Sequence, residues 1–340
     1  MATAAAPPRP RMTGRNSREM GTSTRPHSGQ GGLAALLVSP TVLVLVLVVG
    51  FPLVEAFRQS FYGAPGIDPV TGFVNDSEPF VGLGNFADIF TDHGERFWNA
   101  IGNTTFFGIA TIVPEVVIGT AMALLMARAL RGRGFIRSAI LVPWAIPTAI
   151  SGLLWSWIFN VDGVANKILG TSVLWATEGF HAKVAIIIAE VWKTAPFVAL
   201  LTLAGLLIIP NELYEAARID GASAWQRFVN ITLPLVKPSL TVAVLFRLLD
   251  ALRMFDLPYI LIGPRKSSVE TLSMLAQNEA YNVRYGAAAA YAIILFGYVF
   301  VIAFVFVKVL GANIIDLEFG GSRRSPRASH RTARRREVPR

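Results

Sequence analysis

The chain of 340 residues has no cysteine, only four histidines and little charge. Without cysteine there is no disulfide, no thiolate metal site and no thiol nucleophile. His27, His93, His181 and His330 are scattered, with no metal-ligand spacing and no Ser-His-Asp or paired-carboxylate arrangement around them. A phosphate-cradling loop needs glycines leading into Gly-Lys-Ser/Thr, and the dipeptide Gly-Lys does not occur. The basic turn Arg131-Gly132-Arg133-Gly134 has neither that lysine nor a preceding strand. These absences speak against metal, thiol and nucleotide chemistry in this chain. Charged residues make up 16% of it, where soluble domains carry about 25%.

What is abundant is apolar: 53% of residues are hydrophobic. A spanning helix needs about 20 mostly apolar residues, and six stretches qualify: 33–57, 99–127, 136–159, 184–209, 237–262 and 286–311. The expected fold class is all-α, with six transmembrane helices. The first stretch follows a basic start, as a signal peptide would. Its apolar run exceeds the usual ~7–15 residues and no small-x-small cleavage site follows, so an uncleaved span is expected. The net charge of +9 is concentrated at the ends, from Arg9 to Arg25 and from Arg323 to Arg340. Basic tails beside hydrophobic spans suit a cytoplasmic face near anionic lipid, not a nucleic-acid groove. The expected organisation is a basic tail (1–32), a transmembrane domain (33–312) and a second basic tail (313–340).

Lysine and arginine in the loops set orientation. The loop from 62 to 98 carries Asp68, Asp76, Glu78, Asp88, Asp92 and Glu95, whereas the next holds Arg128, Arg131, Arg133 and Arg137. Six spans with both termini cytoplasmic satisfy these loops and both tails. Arg265 and Lys266 are an exception on the outer side, partly balanced by Glu270 and Glu279. Pro114, Pro143 with Pro147, and Pro196 interrupt spans two, three and four. Such breaks serve packing as kinks, or mark a water-filled path that satisfies the freed backbone; both readings stand.

Ionisable groups inside spans are costly, about 2.5–3.5 kcal/mol or more at mid-span, and face protein or water. Arg247, Asp250, Arg253 and Asp256 alternate in sign at three-residue steps in the fifth stretch, with Asp250 expected near its middle. They read either as a self-neutralised ladder or as part of a substrate path. Glu115 beside Pro114, and Glu190 with Lys193 before Pro196, carry the same ambiguity. Asn103 and the rings of Trp144, Trp155 and Trp157 suit hydroxyl bonding and stacking against a sugar, although tryptophan near span ends also serves as an interface anchor.

The most informative segment is polar. Residues 210–236, between spans four and five, read as a short helix, a glycine break and a second short helix on the cytoplasmic side. Ala216 and Ala217 make a narrow helical rod that can enter a groove closely, and Glu215 offers a carboxylate to a partner's arginine. Gly221 permits the turn; Leu233-Pro234 is expected to end the second helix. An interfacial helix lying on headgroups is the alternative.

Glu215-Ala216-Ala217, three residues ending in Asp220, Gly221, nine residues, then Ile231-x-Leu233-Pro234 resembles the signature of permease subunits of ABC importers, with every defining position present. Phe80-Val81-Gly82-Leu83-Gly84-Asn85-Phe86, Phe97-Trp98-Asn99-Ala100, Pro143-Trp144-Ala145-Ile146-Pro147, Glu190-Val191-Trp192-Lys193-Thr194 and Arg247-Leu248-Leu249-Asp250-Ala251 resemble the maltose- and trehalose-type branch, over residues 33 to 312. The resemblance implies a type I permease fold in a bacterial cell membrane. It assigns 210–236 as an ATPase-coupling segment, including Asp220, Gly221, Ile231, Leu233 and Pro234. It implies a second homologous permease, two ATPase subunits that hold Mg-ATP, and an extracytoplasmic sugar-binding protein. Transport would be of an α-linked disaccharide by alternating access, with no cofactor in this chain and no enzymatic activity of its own. Two rivals are a gradient-driven secondary transporter, which would show repeated halves with matching broken helices, and a non-transporting membrane receptor or scaffold.

Overall fold

The computed structural model describes residues 28–66, 78–128 and 132–311. The two basic tails lie outside the described residues. Contacts divide the chain into a first unit ending at Val54 and a second beginning at Glu55. The first holds α1 (Ser28–Leu45), a π-helical turn, Val46–Gly50, and the start of α2 (Phe51–Gln59), which runs on past the boundary, so that an apolar helix covers Ala35–Gln59. Valine and leucine cover every side of it from Leu36 to Val49 and all are exposed, as expected of a surface solvated by lipid or a partner.

The second unit holds α3 (Gly84–Phe90), α4 (Gly94–Ala127), α5 (Arg133–Ala145), α6 (Thr148–Ile158), α7 (Val164–Leu169), α8 (Phe180–Leu206), α9 (Asn211–Ile219), α10 (Ala224–Arg227), α11 (Leu233–Ala251), α12 (Asp256–Leu261), α13 (Leu272–Tyr281) and α14 (Tyr285–Phe306). There is no strand among the described residues, only an isolated bridge between Tyr62 and Phe80. Among the described residues five helices are long and apolar enough to cross a membrane, and the bent pair α5–α6 makes up to six.

Two spans differ from the sequence expectation. The third is not one helix: α5 and α6 meet at 93° across Ile146-Pro147. Pro147 lacks an N–H and pushes Ile146 out of the helical region, to φ −74°, ψ 131°. By contrast α4 and α8 run unbroken through Pro114 and Pro196. The fifth span starts earlier and ends earlier than 237–262. Leu233-Pro234 does not end a helix; α10, a π turn over Phe228–Thr232 and α11 form one rod from Ala224 to Ala251. Pro234 stands where the π turn hands over to α11, a change of hydrogen-bond register that takes up its missing N–H without ending the rod.

Between helices surrounded by lipid the hydrophobic effect adds little, so close packing and polar contacts must hold the bundle. Small residues permit it. A Cβ on Gly119 of α4 would lie 2.7 Å from Val198 Cβ and 2.9 Å from the Ala195 carbonyl on α8, and one on Gly205 would lie 2.5 Å from Ser239 Oγ on α11. Gly119→Leu is therefore expected to destabilise the helix pair by about 1–3 kcal/mol through overpacking. A fall in thermal stability of the purified protein is the measurement, and an unchanged melting point would contradict this packing.

At the end of the bundle where α4 and α14 begin, polar ties replace apolar ones. Asn85 Nδ2 donates to the carbonyls of Ser60 and Tyr62, both at 2.8 Å. A Cβ on Gly286 would overlap the Tyr62 carbonyl at 1.8 Å. The 264–271 loop is strapped to the first turns of α4: Arg96 binds the Glu270 carboxylate through Nε at 2.7 Å and Nη2 at 2.5 Å. Asn103 Nδ2 donates to the carbonyls of Ser267 and Glu270 at 2.8 and 3.0 Å.

Candidate functional site: a docking element and a buried charge cluster

The polar segment folds as its residues dictate. α9 starts after Pro210 with Glu212 in its first turn, favourable beside the positive end of the helix. Gly221 then turns the chain at φ +77°, a left-handed conformation that costs a side chain about 1–2 kcal/mol. Its N–H donates to the Arg218 carbonyl at 3.1 Å. Ser223 opens α10 with a capping box: its Oγ accepts from the Gln226 N–H and its own N–H donates to Gln226 Oε1 at 2.7 Å. That box was readable as Ser-Ala-Trp-Gln, and the sequence analysis missed it. Tyr214 Oη lies 3.0 Å from Thr232 Oγ1, tying α9 to the foot of α11.

This element is open. Glu215, Ala216, Asp220, Gly221, Leu233 and Pro234 are exposed, while Ala217 and Ile231 are half-buried. Ile219 is 87% and Trp225 71% exposed, two large apolar side chains beside a carboxylate. The segment is polar and capped, with two large apolar side chains left exposed.

Inside the bundle only the first rung of the ladder forms, between Arg247 and Asp250. Arg247 on α11 reaches two other helices: Nε and Nη2 meet the Glu115 carboxylate of α4 at 2.8 and 3.1 Å, and Nη2 meets Glu190 of α8 at 2.9 Å. Glu115, Glu190 and Arg247 are all buried. Thr194 Oγ1 lies 2.7 Å from both Glu115 Oε1 and the Glu190 carbonyl, so its one proton serves two acceptors. Arg247 Nη1 also binds Asp250, whose side chain is 62% exposed. Asp250 is not mid-span; α11 ends one residue later, at Ala251. Arg253 lies in the following turn, exposed, its Nε on the Leu249 carbonyl at 3.0 Å, and Asp256 opens α12. These two do not pair with Arg247 or Asp250. The helix stops before the alternation is complete.

Beside the cluster lies an open aromatic face. Trp144, at the end of α5, is 5.8 Å from Phe197, which is 6.4 Å from Phe246. Lys193 precedes Phe197 by one turn of α8 and Asp250 follows Phe246 by one turn of α11, so charge and ring share a face on each helix. Lys193 is half-buried and has no ion-pair partner among the described residues. Phe197 and Phe246 were not singled out from the sequence; their i, i+4 spacing to a charge was the available signal. Trp155 is instead packed against Phe159 and Trp192, and Trp157 is exposed. The Asn103 amide is engaged by the 264–271 loop, away from this cluster. No group of three or more potential metal ligands occurs among the described residues.

A bundle of membrane-crossing helices, one of them broken, with a buried charge cluster and an exposed polar segment between two spans, is the architecture of a polytopic membrane permease. The chain belongs to the family of binding-protein-dependent transport system inner membrane components, whose profile matches residues 115–315. It is 38% identical over 284 residues to the trehalose transport system permease protein SugA of Mycobacterium tuberculosis, covering 82% of this chain and 89% of that one. Against the trehalose/maltose transport system permease protein MalF of Thermococcus litoralis the identity is 39% over 284 residues, 82% and 93% of the two chains. A crystal structure of a bacterial ABC transporter that imports the acidic polysaccharide alginate shares the fold, with a TM-score of 0.71 at 22% identity over 84% of this chain and 96% of that one.

Proposed function

We propose that this chain is one permease half of an ATP-driven importer that carries a sugar, an α-linked disaccharide such as trehalose or maltose, into the cytoplasm of a bacterial cell. A second homologous permease completes the channel, two ATPase subunits hold Mg-ATP, and an extracytoplasmic sugar-binding protein delivers the substrate. The observation that carries this reading is the exposed, capped 210–236 element joined through Tyr214 and Thr232 to α11, the helix that bears Arg247 and Asp250. Movement imposed on α9 by ATPases closing on ATP is passed to α11, and with it to the charged and aromatic face. The ATPases supply the differential binding that shifts inward- against outward-open populations, and hydrolysis resets it. Lys193, Phe197, Phe246 and Asp250 line the path, where rings stack on sugar faces and charges bind hydroxyls. Glu115, Glu190 and Arg247 hold three helices in register behind them. Arg253 and Asp256, beyond the end of α11, lie at the outer mouth of that path.

This reading places both termini and 210–236 in the cytoplasm and the 78–98 segment outside. In this cysteine-free chain, single cysteines replacing Glu95 and Ser223 should react with an impermeant maleimide from opposite sides of intact cells. Labelling of both from outside defeats the topology. The function itself is tested in vesicles containing the assembled complex and its binding protein. ATP-dependent accumulation of labelled trehalose or maltose is expected; absence of a copurifying ATPase would remove the assignment.

A further inference from the structure

At the end of the bundle where α4 and α14 begin lies a second cavity, of about 250 Å³, separate from the α8–α11 face. Its wall is formed by Tyr259, Arg265, Asn278 and Tyr281, with Met274 and Glu270 also lining it. Phe255 stacks on Tyr259 at 5.0 Å and fixes that ring. Arg265 is held across the opening: Nε donates to Asn278 Oδ1 at 3.1 Å and Nη2 to Asn282 Oδ1 at 3.3 Å. Those bonds also fix the Asn278 amide, so its Nδ2 donors, like Arg265 Nη1, have no acceptor among the described residues. Glu270 is already neutralised by Arg96, so the wall is not a free anion and does not select a cation.

Backbone strain collects at the same place. Arg265 (φ +58°) and Val283 (φ +60°) are the two non-glycine residues with positive φ among the described residues. One lines the cavity and the other follows Tyr281 by two positions. For a β-branched valine this conformation is a true outlier, and such strain persists where surrounding structure holds it, commonly at ligand sites.

Tyrosine rings, free amide donors and a free guanidinium edge suit a ring with an apolar face and hydroxyls around its rim. The volume corresponds to about eight waters at ~30 Å³ each, room for one pyranose ring. We infer that this cavity is an outer-mouth subsite that takes one pyranose unit of the transported sugar on its way to the α8–α11 face. The inference rests on the sugar reading above.

The test uses the complete complex in vesicles with Pro264→Cys, a lining position that donates no hydrogen bond, in this cysteine-free chain. Alkylation of that thiol by a maleimide is followed by mass on this chain. Trehalose or maltose at tens of millimolar, with the binding protein absent and sorbitol as control, is expected to slow alkylation several-fold. Adding Asn278→Ala or Tyr281→Ala should abolish the protection, the thiol then reacting at the same rate with and without sugar. Protection only by the binding protein, protection that survives both substitutions, or none at all overturns the subsite. Uptake of labelled sugar separates the two readings: uptake without protection removes the subsite alone, whereas no uptake of either disaccharide removes the sugar reading and this assignment with it.

Discussion

Replacing Arg247 with alanine is expected to collapse the assembled permease, with a loss of about 3–5 kcal/mol, because two buried carboxylates then face each other without a cation. Glu115 and Glu190 come from different helices and each ends on the same guanidinium, so α4, α8 and α11 lose their common tie. Thermal unfolding of the purified complex is the readout. Arg247→Lys should rescue only in part, since an ammonium cannot hold two carboxylates with a fixed fork. The triple change Arg247→Met, Glu115→Gln, Glu190→Gln removes all three buried charges and should restore much of the stability, as replaced buried ion pairs often do. A stable Arg247→Ala protein would show that the cluster does not hold the bundle. Asp250→Asn, by comparison, should leave stability nearly intact and alter uptake, because that side chain is largely exposed and Arg247 keeps its two buried partners.

Gly221→Pro is expected to leave the protein inserted and assembled but abolish transport. The turn sits at φ +77° and uses the Gly221 N–H, whereas proline fixes φ near −65° and has no N–H, a conflict worth about 3 kcal/mol or more. The distortion falls on an exposed element outside the packed bundle, so its consequence is lost coupling, with ATP hydrolysis no longer dependent on loaded binding protein. Glu215→Ala should act more mildly, weakening ATPase association by about 1.5–3 kcal/mol through a lost charge-assisted bond. Sugar-stimulated hydrolysis that persists unchanged in Gly221→Pro would show that the element does not transmit the motion.

Much of this protein was legible in one dimension. Apolar runs of about 20 residues follow from bilayer thickness, and each of the six stretches holds a helix or the bent α5–α6 pair. The helix–turn–helix shape of 210–236 was legible because its requirements are local: alanines for a narrow helix, a glycine where φ must be positive, a carboxylate on the exposed side. Its far boundary was misjudged. Leu233-Pro234 looks like a stop, but the π turn over Phe228–Thr232 shifts the hydrogen-bond register there, so the rod continues from α10 into α11. Pro114, Pro143, Pro147 and Pro196 were equally suspect by sequence, and of these only Pro147 stands at a break.

The sequence by itself determined a membrane-spanning all-helical chain, the number of its apolar stretches and the polar helical segment between the fourth and fifth, because hydropathy and turn chemistry act over a few neighbouring residues. Tertiary structure alone decided which charges meet. Arg247 is three residues from Asp250 yet spends its buried bonds on Glu115 and Glu190, 132 and 57 positions away. The approach depends on glycines such as Gly119 and Gly205 that let α4, α8 and α11 come close. The same packing strapped the 264–271 loop to Asn103 and set Trp144, Phe197 and Phe246 on one face. Pairing between distant helices is settled by how closely their backbones pack, and no local pattern along the chain encodes that distance.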